Sequence, residues 1–94
     1  MSINGPVTIT TEWTQLTTAN ATAITFQNLN AATVYVQATV GATPPAANTV
    51  GLMYGPGMGE IAVPLSDLAP GIAATRVYAR IESVASGRMW VSHA

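Results

Sequence analysis

Few residues in this sequence could carry out a reaction. The chain has one histidine, His93, which directly follows Ser92. Together with Asp67 they make up the residue types of a hydrolytic triad. Adjacent residues of a strand point to opposite faces, however, so Ser92 and His93 cannot form a nucleophile–base pair. We therefore predict that His93 is a solvated residue near the end of the sequence and that the protein is not an enzyme.

Metal and cofactor sites lack ligands as well. The sequence has no cysteine, and its four acidic residues are scattered, without paired-acid spacing or an Asp-x-Asp calcium loop. One histidine and isolated carboxylates do not match the usual ligand sets of zinc. We predict no metal and no cofactor.

Two short motifs resemble functional signatures. The glycine-rich segment 55–59 lacks the Lys and Ser/Thr of a phosphate-binding loop, and Pro56 removes an amide that would hold a phosphate. We predict a tight turn there. Residues 20–22 match the N-glycosylation triplet, but no secretion signal precedes them, so we assign them no role.

The strongest candidates for function lie on the predicted outward faces of strands. Trp90 stands between Met89 and Val91 in an alternating segment, so it points away from the apolar side. Aromatic and Arg side chains are enriched in protein interfaces, whereas ordinary cross-strand pairs that half cover a sheet are the alternative. The candidate interface consists of Tyr35, Arg76, Tyr78, Arg80, Glu82, Arg88 and Trp90.

These side chains depend on strands that the alternation of apolar and polar residues predicts. Val and Thr are abundant, Pro and Gly recur at short intervals, and no segment keeps a helical apolar period for three turns. We predict an all-β fold, a small antiparallel β-sandwich or barrel of about seven short strands, as a single β domain over residues 1–94. Residues 1–12 could alternatively form an extended N-terminal arm. The predicted strands are 7–10, 23–29, 33–40, 50–54, 60–65, 75–83 and 88–92.

Period-two alternation also predicts the core. Val7 and Ile9 should face inward on the first strand. The side chains that we expect to be buried on the others are Ile24, Phe26, Val34, Val36, Ile61, Val63, Leu65, Val77, Ala79, Ile81, Met89 and Val91.

Turn residues separate the strands. The segment 28–31 is short enough for a hairpin, and Ser86–Gly87 is predicted to close another. The segment 41–48 contains two prolines and should be an exposed loop. A further turn is expected at 68–71, where Pro70 precedes Gly71.

The composition excludes several classes of protein. Charged residues make up 7% of the chain, against about 25% in an ordinary globular domain. The hydrophobic fraction of 49% argues against a disordered chain, and three Arg without Lys give no basic patch for nucleic acid. No apolar run is long enough to span a membrane. So little charge is typical of a surface covered by other copies or by a larger assembly, with a merely neutral or export-adapted surface as the alternative.

Several segments resemble a family of small virion proteins of tailed bacteriophages and gene-transfer-agent particles. The resemblance covers most of the chain from Trp13 onward, and its motifs are turn and strand patterns. They are WTQL (13–16), VGATPPA (40–46), GMGE (57–60), LAPG (68–71), RVYAR (76–80) and VSHA (91–94). The resemblance implies a small β-sandwich on the particle surface, acting as head decoration or as the base of a head fibre or spike. It supplies no catalytic residues.

These observations together lead to one expected function and one alternative. We expect a non-enzymatic structural protein on the virion surface, present in the host cytoplasm before assembly. Its partner would be the major capsid protein or another virion protein, with self-association as a homo-oligomer, a trimer or pentamer. The alternative is a receptor- or glycan-binding module of a tail fibre, in which Trp90 and Tyr78 stack on sugar rings. Nucleic acid and membrane are not expected as partners.

Overall fold

Two antiparallel sheets of four strands pack face to face. A computed structural model describes residues 3–46 and 49–93. The front sheet has the strand order β1-β8-β3-β6, and the back sheet has the order β2-β7-β4-β5. The strands are β1 (Ile3–Thr10), β2 (Thr14–Gln15), β3 (Ala23–Asn28), β4 (Val34–Thr39), β5 (Leu52–Tyr54), β6 (Gly59–Pro64), β7 (Arg76–Ile81) and β8 (Ser86–His93), with the one-turn helix α1 (Leu65–Leu68) after β6. The predicted all-β sandwich is confirmed.

The core lies between the sheets and is built by the predicted alternation. Strands of both sheets contribute buried side chains, and β1 and α1 contribute Ile9 and Leu65. Burial of these apolar groups is the main stabilising term of the fold. Leu16, Ala38 and Tyr54 also belong to the core and were not among the residues predicted to be buried. The predicted residues that are buried are Ile24, Phe26, Val34, Val36, Leu65, Val77, Ala79, Ile81, Met89 and Val91.

The prediction for Ile61 is wrong, because β6 contains a β-bulge. Ile24 pairs with Val63, but Phe26 pairs with Glu60, so β6 has one extra residue between these pairs. Ala62 adopts a left-handed conformation there, with φ of 49°. The extra residue reverses the alternation, so that Ile61 is 87% exposed while Val63 is only half-buried against the core.

The two predicted hairpins are also wrong. β3 and β8 belong to the front sheet, whereas β4 and β7 belong to the back sheet, so the segment 28–31 crosses between sheets. Ser86 and Gly87 already lie in β8, where they pair with Thr10 and Ile9. Turn residues show that a strand ends, but not whether the next strand pairs with it or crosses the core.

Residues 3–10 form an edge strand, and residues 1 and 2 of the predicted arm lie outside the described residues. Ile3–Thr10 pairs with β8 along its whole length, so this segment is not an extended arm. The predicted loop 41–48 contains no strand in its described part, and residues 47 and 48 lie outside the described residues. The predicted strand 50–54 is shortened to β5, and the expected turns at 55–59 and 68–71 are present, the second overlapping the end of α1.

Candidate functional site

The predicted interface is divided between the two sheets. Arg76, Tyr78 and Arg80 lie on β7 in the back sheet, with Tyr35 beside Arg80 on β4. Arg88 and Trp90 lie on β8 in the front sheet. The outer faces of two packed sheets point in opposite directions, so the expectation of a single outward surface is wrong. Alternation within β4, β7 and β8 was predicted correctly, but the sheet that each strand joins is set by tertiary packing.

On the back sheet, Arg80 is enclosed by the chain itself. Its guanidinium carbon lies 5.3 Å from the centre of the Trp13 ring and 4.8 Å from that of Tyr35. These distances are typical of cation–π contacts. Nη1 forms an ion pair of 2.9 Å with Glu82, and Nη2 donates to the Thr49 carbonyl at 3.3 Å. Arg80 therefore fastens the loop before β5 to the sheet and is buried.

Tyr78 and Arg76 have internal partners too. The Tyr78 hydroxyl lies 2.5 Å from the Ala42 carbonyl and 2.9 Å from Gln15 Oε1. Arg76 Nε donates to Asn20 Oδ1 at 2.8 Å. Tyr78 is buried, which removes it from the candidate stacking residues for a sugar. The outer face of the back sheet is thus largely covered by loops of the same chain.

The outer face of the front sheet is open. Trp90 lies near its middle, paired with Pro6 on β1 and with Gln27 on β3. Its side chain is 37% exposed, although both of its sequence neighbours are fully buried. Ser92 lies opposite Asn4 and Thr25. The open face is therefore a surface of neutral polar side chains around one aromatic ring.

The front sheet carries little charge. Arg88, opposite Thr8, and Glu60, on β6, are the two charged residues in the described strands of this sheet. The β6 bulge adds the apolar side chain of Ile61 to the face. The exposure of Ile61 was not predicted, because no residue in its segment signals a bulge. Exposed apolar groups surrounded by polar ones are a common mark of interaction surfaces.

A cleft of about 310 Å³ lies beside Trp90. Thr25, Gln27 and Glu60 bring polar groups to it, and Ile61 and Trp90 bring apolar ones. Glu60 Oε2 accepts a hydrogen bond of 3.2 Å from the Tyr54 hydroxyl. Burial, followed by the nearby charge of Glu60 and this hydrogen bond, raises the pKa of Tyr54 to about 12.

The residues considered for catalysis do not form a site. The prediction of a solvated His93 is wrong, because its ring is buried and Nε2 accepts a hydrogen bond of 3.1 Å from the Thr18 backbone. Ser92 alternates with it and points outward, and Asp67 is exposed on α1. Within residues 3–46 and 49–93, no three His, Asp or Glu side chains cluster as metal ligands.

The described residues contain no helix of the length and apolarity that crossing a membrane requires. Comparison of the chain with protein-family models, with curated proteins and with solved structures finds no match.

Proposed function

We propose that this chain is a non-enzymatic structural protein of a bacteriophage or phage-like particle. It attaches to the particle surface as a decoration protein or as the base of a head fibre or spike. The attachment surface is the outer face of the front sheet, with Trp90 as its anchor. The partner is the major capsid protein or another virion protein.

The observation that carries this proposal is the contrast between the two outer faces. Loops of the chain cover the back sheet, with Arg80 held between Trp13 and Tyr35. No described loop covers the front sheet in this way, and that sheet exposes Trp90 and Ile61. A partly exposed Trp on a rigid sheet is a typical binding hot spot, because a partner buries a large apolar ring at little entropic cost.

The scarcity of charge supports an assembled state. Charged residues are 7% of the chain, and residues 13–59 contain none. A protein that stays free in solution usually keeps more charge on its surface. The resemblance of the turn and strand motifs to small virion proteins supports the same proposal and suggests which larger assembly is involved.

Electron microscopy of particles carrying a labelled copy of the chain tests this function. The proposal predicts label at regular positions on the head surface, and unlabelled wild-type chain should compete for these positions. Particles without label, prepared from cells that express the labelled chain, would contradict it. Label on the tail alone would contradict head attachment.

The cleft beside Trp90 favours a second candidate function, the binding of a glycan. A sugar ring can stack on the indole while Gln27, Thr25 and Glu60 bond its hydroxyls, since these residues line the same cleft. Titration with common hexoses, followed by NMR of the two indole N–H groups, separates the candidates. Glycan binding would shift the Trp90 signal and leave that of Trp13 unchanged, because Trp13 Nε1 donates to the Ala46 carbonyl on the back sheet.

A further inference from the structure

The edge strand of the back sheet, β5, pairs with only part of its neighbour β4. β4 has six residues and pairs with β7 along its whole length, but β5 has only three. β5 pairs with Val34, Tyr35 and Val36. Along the other half of β4, residues 37–39, no described strand lies on that side.

The pairing between β5 and β4 ends next to Gly51, where the chain turns away from β4. Gly51 has a φ of +76°, and a Cβ built on it would lie 2.8 Å from the Val36 carbonyl oxygen. A side chain at this position would collide with the backbone of β4. The left-handed conformation is also unfavourable for any residue with a Cβ. The β5 ladder ends at Val36, and no described strand pairs with residues 37–39 on this side of β4.

The open half of β4 directs backbone polar groups outward. Val77, the residue opposite Ala38, donates its N–H to Thr17 Oγ1 at 3.4 Å, and its carbonyl accepts from the Leu16 N–H at 2.8 Å. Both groups of Val77 therefore point toward β2. Because directly opposed residues either exchange both hydrogen bonds or none, the N–H and C=O of Ala38 point away from β7.

Burial of the N–H and C=O of Ala38 without hydrogen-bond partners would cost free energy. Ala38 is only 3% exposed. Buried backbone donors and acceptors are nearly always paired, since an unpaired one loses its hydration without compensation. The natural partner for an N–H and a C=O on the edge of a sheet is another extended backbone.

A groove lies over this edge. It has a volume of about 280 Å³, and its walls are Leu52 on one side and the segment from Leu68 to Ile72 on the other. None of the described residues that line it is charged. The groove therefore suits an extended, uncharged segment with apolar side chains.

We propose that a second copy of this chain places an extended segment in this groove and adds a strand beside residues 37–39. The part of β4 without a neighbouring strand, residues 37–39, is three residues long, which is the length of β5 itself. Residues 13–59 carry no charge, so two copies meet here without like-charge repulsion. Leu52 and Met53 are exposed along the same edge and would be covered by the contact.

The other sheet edges are less suited to pairing between copies. β1 carries Pro6, which cannot donate to a ladder, and β2 has two residues. β6 is distorted by its bulge and ends in Pro64. Proline, bulges and short strands are the usual means of blocking an edge, whereas residues 37–39 belong to a six-residue strand that contains neither a proline nor a bulge.

Two matched substitutions test the proposal. Ile72→Asp places a carboxylate on the wall of the groove, and Val84→Asp places one on the exposed loop between β7 and β8. The parent side chains are 47% and 46% exposed, so neither change should unfold the chain. Sedimentation across a concentration series should show self-association of the wild type and of Val84→Asp. Ile72→Asp should associate at least about tenfold more weakly, because the contact would bury an unpaired charge.

Hydrogen exchange at the Ala38 amide provides a second measurement. Exchange should slow as the wild-type concentration rises, and it should stay fast in Ile72→Asp. A wild type that remains monomeric at high micromolar concentration, with a rapidly exchanging Ala38 amide, would overturn the proposal. So would association that Ile72→Asp leaves intact, or protection of Ala38 only when another particle protein is added, which would assign the groove to a foreign strand.

Discussion

The buried side chain of Asn28 forms hydrogen bonds with both connections that pass from one sheet to the other around it, β3–β4 and β5–β6. Its Nδ2 lies 2.7 Å from the Ala32 carbonyl and 3.1 Å from each of the Tyr54 and Gly55 carbonyls. Its Oδ1 accepts from the backbone N–H and the side-chain amide of Asn30, at 2.9 Å each. The β3–β4 and β5–β6 connections therefore share one hydrogen-bonded centre. Such buried polar networks are stable only while every member is satisfied.

Replacement of this amide should strongly destabilise the fold. Asn28→Ala leaves three carbonyls near the core without their donor, so we expect a loss of about 3 kcal/mol in the free energy of unfolding. Asn4→Ala, on the exposed face of β1, is the matched control and should change it by less than about 0.5 kcal/mol. Urea unfolding of both variants measures the difference. Equal midpoints for the two would contradict the role of Asn28.

Tyr54 makes the stability depend on pH at the alkaline end. Its pKa is raised to about 12 in the folded chain, from 10.0. Below pH 10 the phenol is protonated in both states, so its contribution to stability is complete. Between pH 10 and 12 the unfolded chain loses the proton first, and the free energy of unfolding falls.

Tyr54→Phe should remove this dependence. The quantity to compare is the slope of the urea midpoint against pH, since loss of the bond to Glu60 also shifts the baseline. We expect the wild type to lose stability more steeply than Tyr54→Phe above pH 10. Parallel profiles would show that the Tyr54 hydroxyl is not protected by burial and by Glu60.

At the scale of elements, the β6 bulge decides which side chains reach the front face. Ala62 at the bulge has a φ of 49°, and its N–H donates to Thr25 Oγ1 at 2.8 Å. Close by, a Cβ on Gly59 would lie 1.9 Å from the Phe26 carbonyl oxygen, so β6 can approach β3 there only with glycine. The bulge and this close approach together hold Ile61 on the outside.

Relief of the strain at Ala62 should stabilise the chain. A left-handed conformation costs a residue with a Cβ about 1 kcal/mol, and glycine avoids that cost. We expect Ala62→Gly to raise the free energy of unfolding by about 0.5–1 kcal/mol. Ala23→Gly, at an ordinary position of β3, should lower it instead. Thermal unfolding of the two variants tests this prediction. Destabilisation of the same size in both would contradict backbone strain at Ala62.

The strands could be predicted from the sequence, but their arrangement could not. Alternation predicts β4, β7 and β8 well because one face of each is buried in the core. Alternation does not report a bulge, so it fails at Ile61. Local turn residues also do not distinguish a hairpin from a crossing, which is why β7 and β8 were predicted to pair although they lie in different sheets.

The candidate site was predictable to the same degree. The outward orientation of Trp90 follows from its buried neighbours and needs only the sequence. The burial of Arg80 and Tyr78 does not, because loop segments distant in sequence, at Ala42 and Thr49, cover them. Long-range contacts of this kind have no local signal.

The whole molecule has two unlike outer faces. The back face is closed by Trp13 and the loop before β5, and its edge beside Gly51 is open. The front face exposes Trp90 among neutral polar residues. Under the proposed function, the front face attaches the protein to the particle, and the back edge joins copies of the chain to one another. Separate surfaces allow the two contacts to be disrupted separately.

Trp90→Ala tests attachment through the front face most directly. Trp13→Ala is the control, because Trp13 stacks on Arg80 at the back sheet. Particle attachment and thermal unfolding should be measured on both variants. Removal of a hot-spot anchor costs about 2 kcal/mol, so Trp90→Ala should attach roughly thirtyfold more weakly while its unfolding temperature stays near that of the wild type. Trp13→Ala should unfold more easily, and its folded fraction should attach as the wild type does. Wild-type attachment by Trp90→Ala, or unfolding of that variant, would contradict the account.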